Sequence, residues 1–229
     1  MRKILLLPVC VVLALLLTAA CVSGGNKPDT LPLPEVDGES MFGIDKNINI
    51  STIDEYLGRD DVMYIDVRML FDPADFGAIG GEADLTRTIR GFKILPYPYI
   101  ATLSALPVTG AYDGQHLFTL TWDDDGQLIS ATPNFVESNI ILSEIIPKDK
   151  AVFIMCGGGG YSGMMKSLLI YLGWQEDLLY NIGANWTYNG DNSLELIIYP
   201  EDAGDDKIYA TWRADYTYIE FSKLNTIAR

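Results

Sequence analysis

The fold is decided by residues 151–172, which read AVFIMC-GGGG-YSGMMKSLLIYL. Residues 151–155 are continuously apolar, as in a parallel strand that is buried on both faces. Four glycines follow Cys156 and indicate a turn, and residues 162–172 have the apolar spacing of a helix that Gly173 would end. A buried strand, a glycine loop and a helix in this order are typical of an α/β domain.

The rest of the chain alternates between strand and helix patterns. Strands are predicted at 62–67, 92–95 and 178–182, and helical segments at 53–57, 72–76 and 134–145. A hairpin is predicted from 116–121 and 127–131 around an Asp-Asp-Asp-Gly turn, and strand-like runs at 194–199 and 207–221 follow later. We therefore expect an α/β fold with a central, mainly parallel sheet flanked by helices, and with the hairpin and the C-terminal strands added at the sheet edge.

Composition excludes several classes of protein. The 229 residues are 48% hydrophobic, which is enough for a packed core and rules out wholesale disorder. A net charge of -15 argues against a nucleic-acid partner, because phosphate backbones require a basic face. A single histidine, His116, leaves little for a His-rich metal site or a Ser-His-Asp hydrolase. Three cysteines are too few for a disulfide-stapled scaffold.

The N-terminus has the pattern of an export signal. Arg2 and Lys3 precede an apolar run over 4–17, and small residues lead to Cys21. The segment 17–21, Leu-Thr-Ala-Ala-Cys, resembles a bacterial lipobox, which implies a signal peptide over 1–20 and lipidation of Cys21. An ordinary cleaved signal and an uncleaved anchor are the alternatives. Glycine, proline and polar residues then predict a flexible tether over 21–45, so that the protein would be exported and lipid-anchored to a bacterial cell membrane or outer membrane.

Cys156 is the candidate reactive group. Cys10 would leave with the signal and Cys21 would carry lipid, so Cys156 has no partner for an intramolecular disulfide. Backbone N–H groups at a glycine turn and a helix N-terminus can converge on an anion, and a thiolate there is a better nucleophile. The alternatives are an inert, buried cysteine and a phosphate loop, but no Lys follows the glycines as a phosphate loop requires.

Three segments together resemble the rhodanese family of sulfurtransferases. They are the strand end Ile-Asp-Val-Arg at 65–68, the segment Thr-Ile-Arg-Gly-Phe-Lys-Ile-Leu-Pro at 88–96, and the Cys156 strand and loop at 152–162. Gly-Trp at 173–174 and Asn-Ile-Gly-Ala-Asn-Trp at 181–186 resemble the family's closing elements. Tyr161 stands where many members have Arg, and Thr88 stands where they have His.

The resemblance implies a rhodanese-like domain over 46–229, with an insertion at about 97–133 and a C-terminal extension at about 190–229. It also implies a persulfide cycle in which Cys156 is the catalytic residue, and neither a metal nor an organic cofactor. The partner would be a small sulfur-containing anion, such as thiosulfate, or a protein thiol; cyanide is a further possible acceptor. The loop that would hold the anionic sulfur consists of Gly157, Gly158, Gly159, Gly160, Tyr161 and Ser162.

Arg68 has two possible roles. It follows the strand at 62–67, at the carboxyl end where open α/β sheets bind ligands, and could attract an anionic donor. It could equally form an ion pair with Asp66, which supports the strand end.

Three other functions are alternatives to sulfur transfer. A non-catalytic binding module with the same fold and a thiol or persulfide sensor both remain open. A dual-specificity phosphatase is disfavoured, because its loop is one residue longer and ends in an Arg that clamps phosphate.

Overall fold

The structure, a computed structural model, describes residues 28–68, 87–102, 114–195 and 219–228. Eight strands and three α-helices follow one another along the described residues. They are β1 (Val62–Asp66), β2 (Arg87–Ile89), β3 (Lys93–Ile94), α1 (Tyr97–Ile100), β4 (Phe118–Trp122), β5 (Leu128–Pro133), α2 (Ser138–Ile145), β6 (Ala151–Cys156), α3 (Gly160–Tyr171), β7 (Leu179–Ala184) and β8 (Ser193–Glu195). Short 3-10 helices occupy Ile53–Glu55, Glu176–Leu178, Asn185–Thr187 and Phe221–Lys223.

A four-stranded parallel sheet forms the centre of the molecule. Its strand order is β3-β1-β6-β7, and β6 pairs with β1 along the whole of β1, from Val62 opposite Ala151 to Asp66 opposite Met155. The short β3 pairs only with Ile65 and Asp66. Helices flank the sheet, so the predicted α/β class with a central parallel sheet is confirmed.

Two apolar clusters cover the two faces of this sheet. Alternate residues of β6 belong to different clusters, because successive strand side chains point to opposite faces. Val152, Ile154 and Cys156 join the cluster that contains the buried side chains of α3, whereas Phe153 and Met155 join the cluster beneath the 3-10 helix Ile53–Glu55. All six residues of β6 are buried, as the continuous apolar run predicts.

Several predicted elements have different bounds in the structure. The helix predicted over 134–145 begins only at Ser138, because the Asn134 side-chain Nδ2 donates to the His116 carbonyl and the Ser138 hydroxyl donates to the Leu117 carbonyl. These contacts hold the preceding residues in a loop against β4. The helix predicted over 53–57 is the single 3-10 turn Ile53–Glu55. The helical turn predicted at 72–76 lies outside the described residues.

The predicted hairpin is present, but its position in the sheet differs from the expectation. β4 and β5 pair with each other as a separate two-stranded sheet, and β8 pairs antiparallel with β2 in another. Neither addition extends the parallel sheet within the described residues. β2 was not predicted; it has three residues and depends on a partner more than a hundred positions away. Of the run predicted at 207–221, residues 207–218 lie outside the described residues, and Phe221 begins a 3-10 helix.

Residues 28–45, the described part of the expected flexible tether over 21–45, contact the rest of the domain. The Tyr180 hydroxyl donates to the Pro32 carbonyl at 2.8 Å, and the amide of Asp45 donates to the Asn181 carbonyl at 2.8 Å. Asp45 is itself buried, and its carboxylate accepts the amides of Glu35, Asn47 and Ile48. The described part of the expected tether is therefore packed on the domain.

The predicted signal peptide, 1–20, and Cys21 lie outside the described residues. Within the described ranges, no helix combines the length and the apolar character needed to cross a membrane.

Candidate functional site

The site is built where β6 ends and α3 begins. β6 delivers Cys156, three glycines turn the chain, and α3 starts at Gly160. Gly159 has φ of +101°, a left-handed conformation that a residue with a side chain rarely adopts. The predicted loop 157–162 is therefore divided: Gly157, Gly158 and Gly159 form the turn, whereas Gly160, Tyr161 and Ser162 belong to the first turn of α3.

Two donors converge on the sulfur of Cys156. The Gly159 amide lies 3.0 Å from Sγ, and the Ser162 hydroxyl lies 3.4 Å from it. The sulfur also lies at the N-terminus of a twelve-residue helix, where the backbone dipoles favour negative charge. This arrangement stabilises an anion on Sγ. Only 2% of Cys156 is exposed, so an external reactant cannot reach the sulfur in this conformation.

Ser162 connects the sulfur to a buried amide on the neighbouring strand. Its hydroxyl has one proton and three acceptors in range: Asn181 Oδ1 at 2.6 Å, the Gly159 carbonyl at 2.9 Å and Cys156 Sγ at 3.4 Å. Asn181, on β7, is fully buried, and its Nδ2 donates to the carbonyls of Phe42 and Gly159. Because both amide protons are used, the Asn181 oxygen is held facing Ser162.

One side of the loop is covered by residues 42–45, which we call the covering segment. A Cβ on Gly183 would lie 2.7 Å from Ile44 Cδ1, and a Cβ on Gly159 would lie 3.1 Å from the same atom. The carbonyl of Phe42 would lie 2.9 Å from a Cβ on Gly163. Glycine at these three positions lets the covering segment approach the loop and the first turn of α3 closely.

The indole of Trp186 covers the other side of the loop. A Cβ on Gly157 would lie between 2.4 and 2.7 Å from three atoms of the indole, so a side chain at this position would require the indole to move. The Trp186 amide also donates to the Gly157 carbonyl at 3.3 Å. Trp186 is nevertheless 60% exposed, so it forms part of the outer surface of the site.

Tyr161 lies beside the sulfur on the first turn of α3. Partial burial, and then the nearby negative charge of Cys156, raise the pKa of Tyr161 to about 12. Its ring stacks on Tyr97 with ring centroids 6.0 Å apart and an interplanar angle of 6°. Tyr97 is fully buried, its hydroxyl has no hydrogen-bond partner among the residues that the structure describes, and burial raises its pKa far above the usual range. The start of the expected insertion, at Tyr97, therefore contributes to the wall behind the site.

Arg68 lies in a buried ion pair. Its Nη2 is 2.6 Å from Asp66 Oδ2, its Nε is 3.0 Å from both carboxylate oxygens, and Asp66 also accepts the Thr88 hydroxyl at 2.9 Å. The Nη1 of Arg68 donates to Asn185 Oδ1 at 2.9 Å. The structure therefore places Arg68 in the second of its two expected roles. Because Asn185 precedes Trp186, this hydrogen bond from Arg68 also holds the turn that bears the indole.

Sequence reasoning missed Asn181 and the covering segment. Asn181 is a polar residue inside the apolar strand predicted at 178–182, and that interruption was the one available signal. Nothing in the sequence near Ile44 indicates that it packs on glycines 115 and 139 positions later. Within the described residues, no group of three or more His, Cys, Asp or Glu side chains is arranged to hold a metal ion.

Comparison with known proteins finds no matching family model, no matching curated protein and no matching solved structure.

Proposed function

We propose that the protein is a rhodanese-like sulfurtransferase that moves sulfane sulfur through a persulfide on Cys156. The observation that carries this proposal is the position of Sγ, which accepts the Gly159 amide at the N-terminus of α3 with the Ser162 hydroxyl beside it. A thiolate needs such donors because its negative charge is on Sγ, and a persulfide anion, whose charge is on the outer sulfur, is favoured by the same helix N-terminus.

The cycle has two displacements. In the first, the Cys156 thiolate attacks the outer, sulfane sulfur of thiosulfate; a new S–S bond forms, the old one breaks, and sulfite leaves with the electron pair. In the second, an acceptor thiolate attacks the outer sulfur of the Cys156 persulfide, and Cys156 leaves as a thiolate. The Ser162 proton would turn from Asn181 towards the sulfur whenever Sγ is anionic, and would return when the charge moves outward.

Sulfur transfer requires that the groups covering Cys156 move away from it. Cys156 is buried beneath the loop, with Ile44 on one side and Trp186 on the other. Moving the covering segment is a smaller structural change than moving the turn that bears Trp186. Residues 42–45 are joined to β7 through the Asp45 and Asn181 contacts rather than through a strand ladder.

The burial of Cys156 favours a second candidate, a non-catalytic binding module of the same architecture. In such a module the Cys156 side chain would serve only in packing. The exposed surface formed by the loop and Trp186 would contact a ligand or a protein. A thiol or persulfide sensor shares features of both candidates. Its Cys156 would react, as in the sulfurtransferase, but without turnover.

Persulfide formation can be measured directly. The full chain is incubated with thiosulfate, and the peptide that contains Cys156 is analysed by mass spectrometry. We expect this peptide to gain one sulfur atom, to lose it on addition of a thiol, and to gain nothing in Cys156→Ser. If the peptide gains no sulfur while Cys156 reacts with iodoacetamide after mild denaturation, sulfur transfer from thiosulfate is excluded and the binding module is favoured.

We also propose that the protein is exported and held at a bacterial membrane by lipid on Cys21. The support is the order of charged, apolar and small residues before that cysteine. Cys21→Ala should move the protein from the membrane fraction to the soluble fraction. A variant that still sediments with membranes would contradict lipid anchoring at this residue.

A further inference from the structure

A cavity lies at the opposite end of the sheet from Cys156. It has a volume of about 660 Å³ and lies beside the amino-terminal half of β1. β3 pairs only with Ile65 and Asp66, so Val62, Met63 and Tyr64 have no neighbour on that side among the strands that the structure describes. The cavity occupies this gap. Its volume is in the range of small-molecule sites in proteins.

Basic side chains are concentrated around this cavity. Four of the sixteen Lys and Arg residues line it, namely Arg59, Arg90, Lys93 and Lys150. Such a concentration is unexpected on a chain with a net charge of -15, which offers far more acidic than basic side chains to any surface.

The charges around the cavity do not cancel. Arg59 is neutralised by Asp61 through contacts of 2.9 and 2.7 Å. Within the described ranges, Arg90 and Lys93 form no ion pair, and Lys150 donates to the carbonyl of Asp60 rather than to a carboxylate. Asp60 also lines the cavity, so the described lining residues, with Asp61 counted against Arg59, carry a balance of two positive charges.

Apolar side chains form the rest of the wall. The cavity is lined by three buried apolar residues, Leu57, Val62 and Tyr64, and by the half-buried Ile145 and Pro147. A fully hydrated inorganic anion would leave this surface uncovered. The cavity therefore matches a ligand that combines a charged group with an apolar group.

We propose that this cavity binds a small phosphate monoester with an apolar substituent. A phosphate monoester is close to a dianion at neutral pH, which matches the two uncompensated charges. Arg90 can bond two phosphate oxygens through its planar guanidinium, while Lys93 and Lys150 act as point charges. The cavity shares no lining residue with the Cys156 loop, so binding is independent of the persulfide cycle.

Isothermal titration calorimetry with phenyl phosphate tests this proposal. The full chain is titrated in dodecyl maltoside micelles, with a titration into micelles alone as the blank. We expect Arg90→Gln/Lys93→Gln to weaken binding about tenfold, the sum of two partly exposed charge contacts. Lys46→Gln/Lys223→Gln loses the same total charge at positions that do not line the cavity, and should change the affinity less than twofold.

Comparison ligands separate the two parts of the proposal. Inorganic phosphate lacks the apolar group, phenylacetate has one charge fewer, and benzyl alcohol has none; each should bind more weakly than phenyl phosphate. Raising the salt concentration should weaken phenyl phosphate binding to the unaltered protein, a readout that needs no variant. Absence of binding, equal loss in the two double variants, or equal affinity for benzyl alcohol would each overturn the proposal.

Cys156→Ser should bind phenyl phosphate as the unaltered protein does. This result would separate the cavity from the sulfur site, because a failure of sulfur transfer then leaves the cavity result unchanged.

Discussion

Ile44→Ala should make Cys156 more reactive without changing the sulfur site itself. Ile44 is half-buried, and its side chain packs on Gly159 and Gly183. Removing the three outer carbons of a half-buried isoleucine costs about 1–2 kcal/mol. If alkylation proceeds through opening of the covering segment, the same free energy is lost from the closed state. The rate should then rise about 5- to 30-fold, since 1.36 kcal/mol corresponds to a factor of ten.

The assay is the rate of iodoacetamide modification under native conditions. It is read by mass spectrometry on the peptide that contains Cys156, so Cys10 and Cys21 do not contribute. Ile141→Ala is the matched control, because Ile141 is a half-buried isoleucine that packs on the core from α2, away from the loop. It should lower the melting temperature without a comparable gain in rate. Equal rates for Ile44→Ala and the unaltered protein would refute opening of this segment as the route to the sulfur.

Three further predictions follow from the same region. Asp66→Asn leaves the buried Arg68 charge uncompensated, so the free energy of unfolding from urea titration should fall by about 3–5 kcal/mol; a loss below about 1 kcal/mol would contradict the ion pair's structural role. Gly157→Ala should lower the free energy of unfolding, and by less when Trp186 is also replaced by Ala. A double-mutant cycle from urea titrations measures this difference, and additive losses would contradict the contact between residue 157 and the indole. The pKa of Tyr161 is raised to about 12, so stability should decline as pH rises from 10 towards 12, and the alkaline absorbance difference between Tyr161→Phe and the unaltered protein should appear near pH 12 rather than 10.

Local patterns predicted the centre of the fold well. β6, the glycine turn and α3 lie within two residues of their predicted bounds, because a continuous apolar run and a helical repeat are visible without any distant contact. The ion pair of Arg68 with Asp66 joins residues two positions apart, and it was one of the two roles expected for Arg68.

Contacts between distant residues account for what the sequence did not reveal. The Asn181 side-chain amide donates to the Phe42 carbonyl, 139 positions earlier in the chain. This contact helps to hold part of the expected tether against the site. A composition rich in glycine, proline and polar residues describes both a flexible linker and a segment that packs through backbone hydrogen bonds. β2 is equally dependent on a distant partner, because it is only three residues long and pairs with β8.

The packing of residues 28–45 has a consequence for where the protein could work. If Cys21 carries lipid as proposed, only seven peptide units separate the anchor from Pro28, whose carbonyl already accepts a hydrogen bond from Arg59. A fully extended chain of that length spans about 25 Å. The domain would then be confined to a thin layer above the bilayer, and lateral diffusion in the membrane plane would govern its encounters. A sulfur acceptor or donor on another protein would have to present its reactive group within that layer.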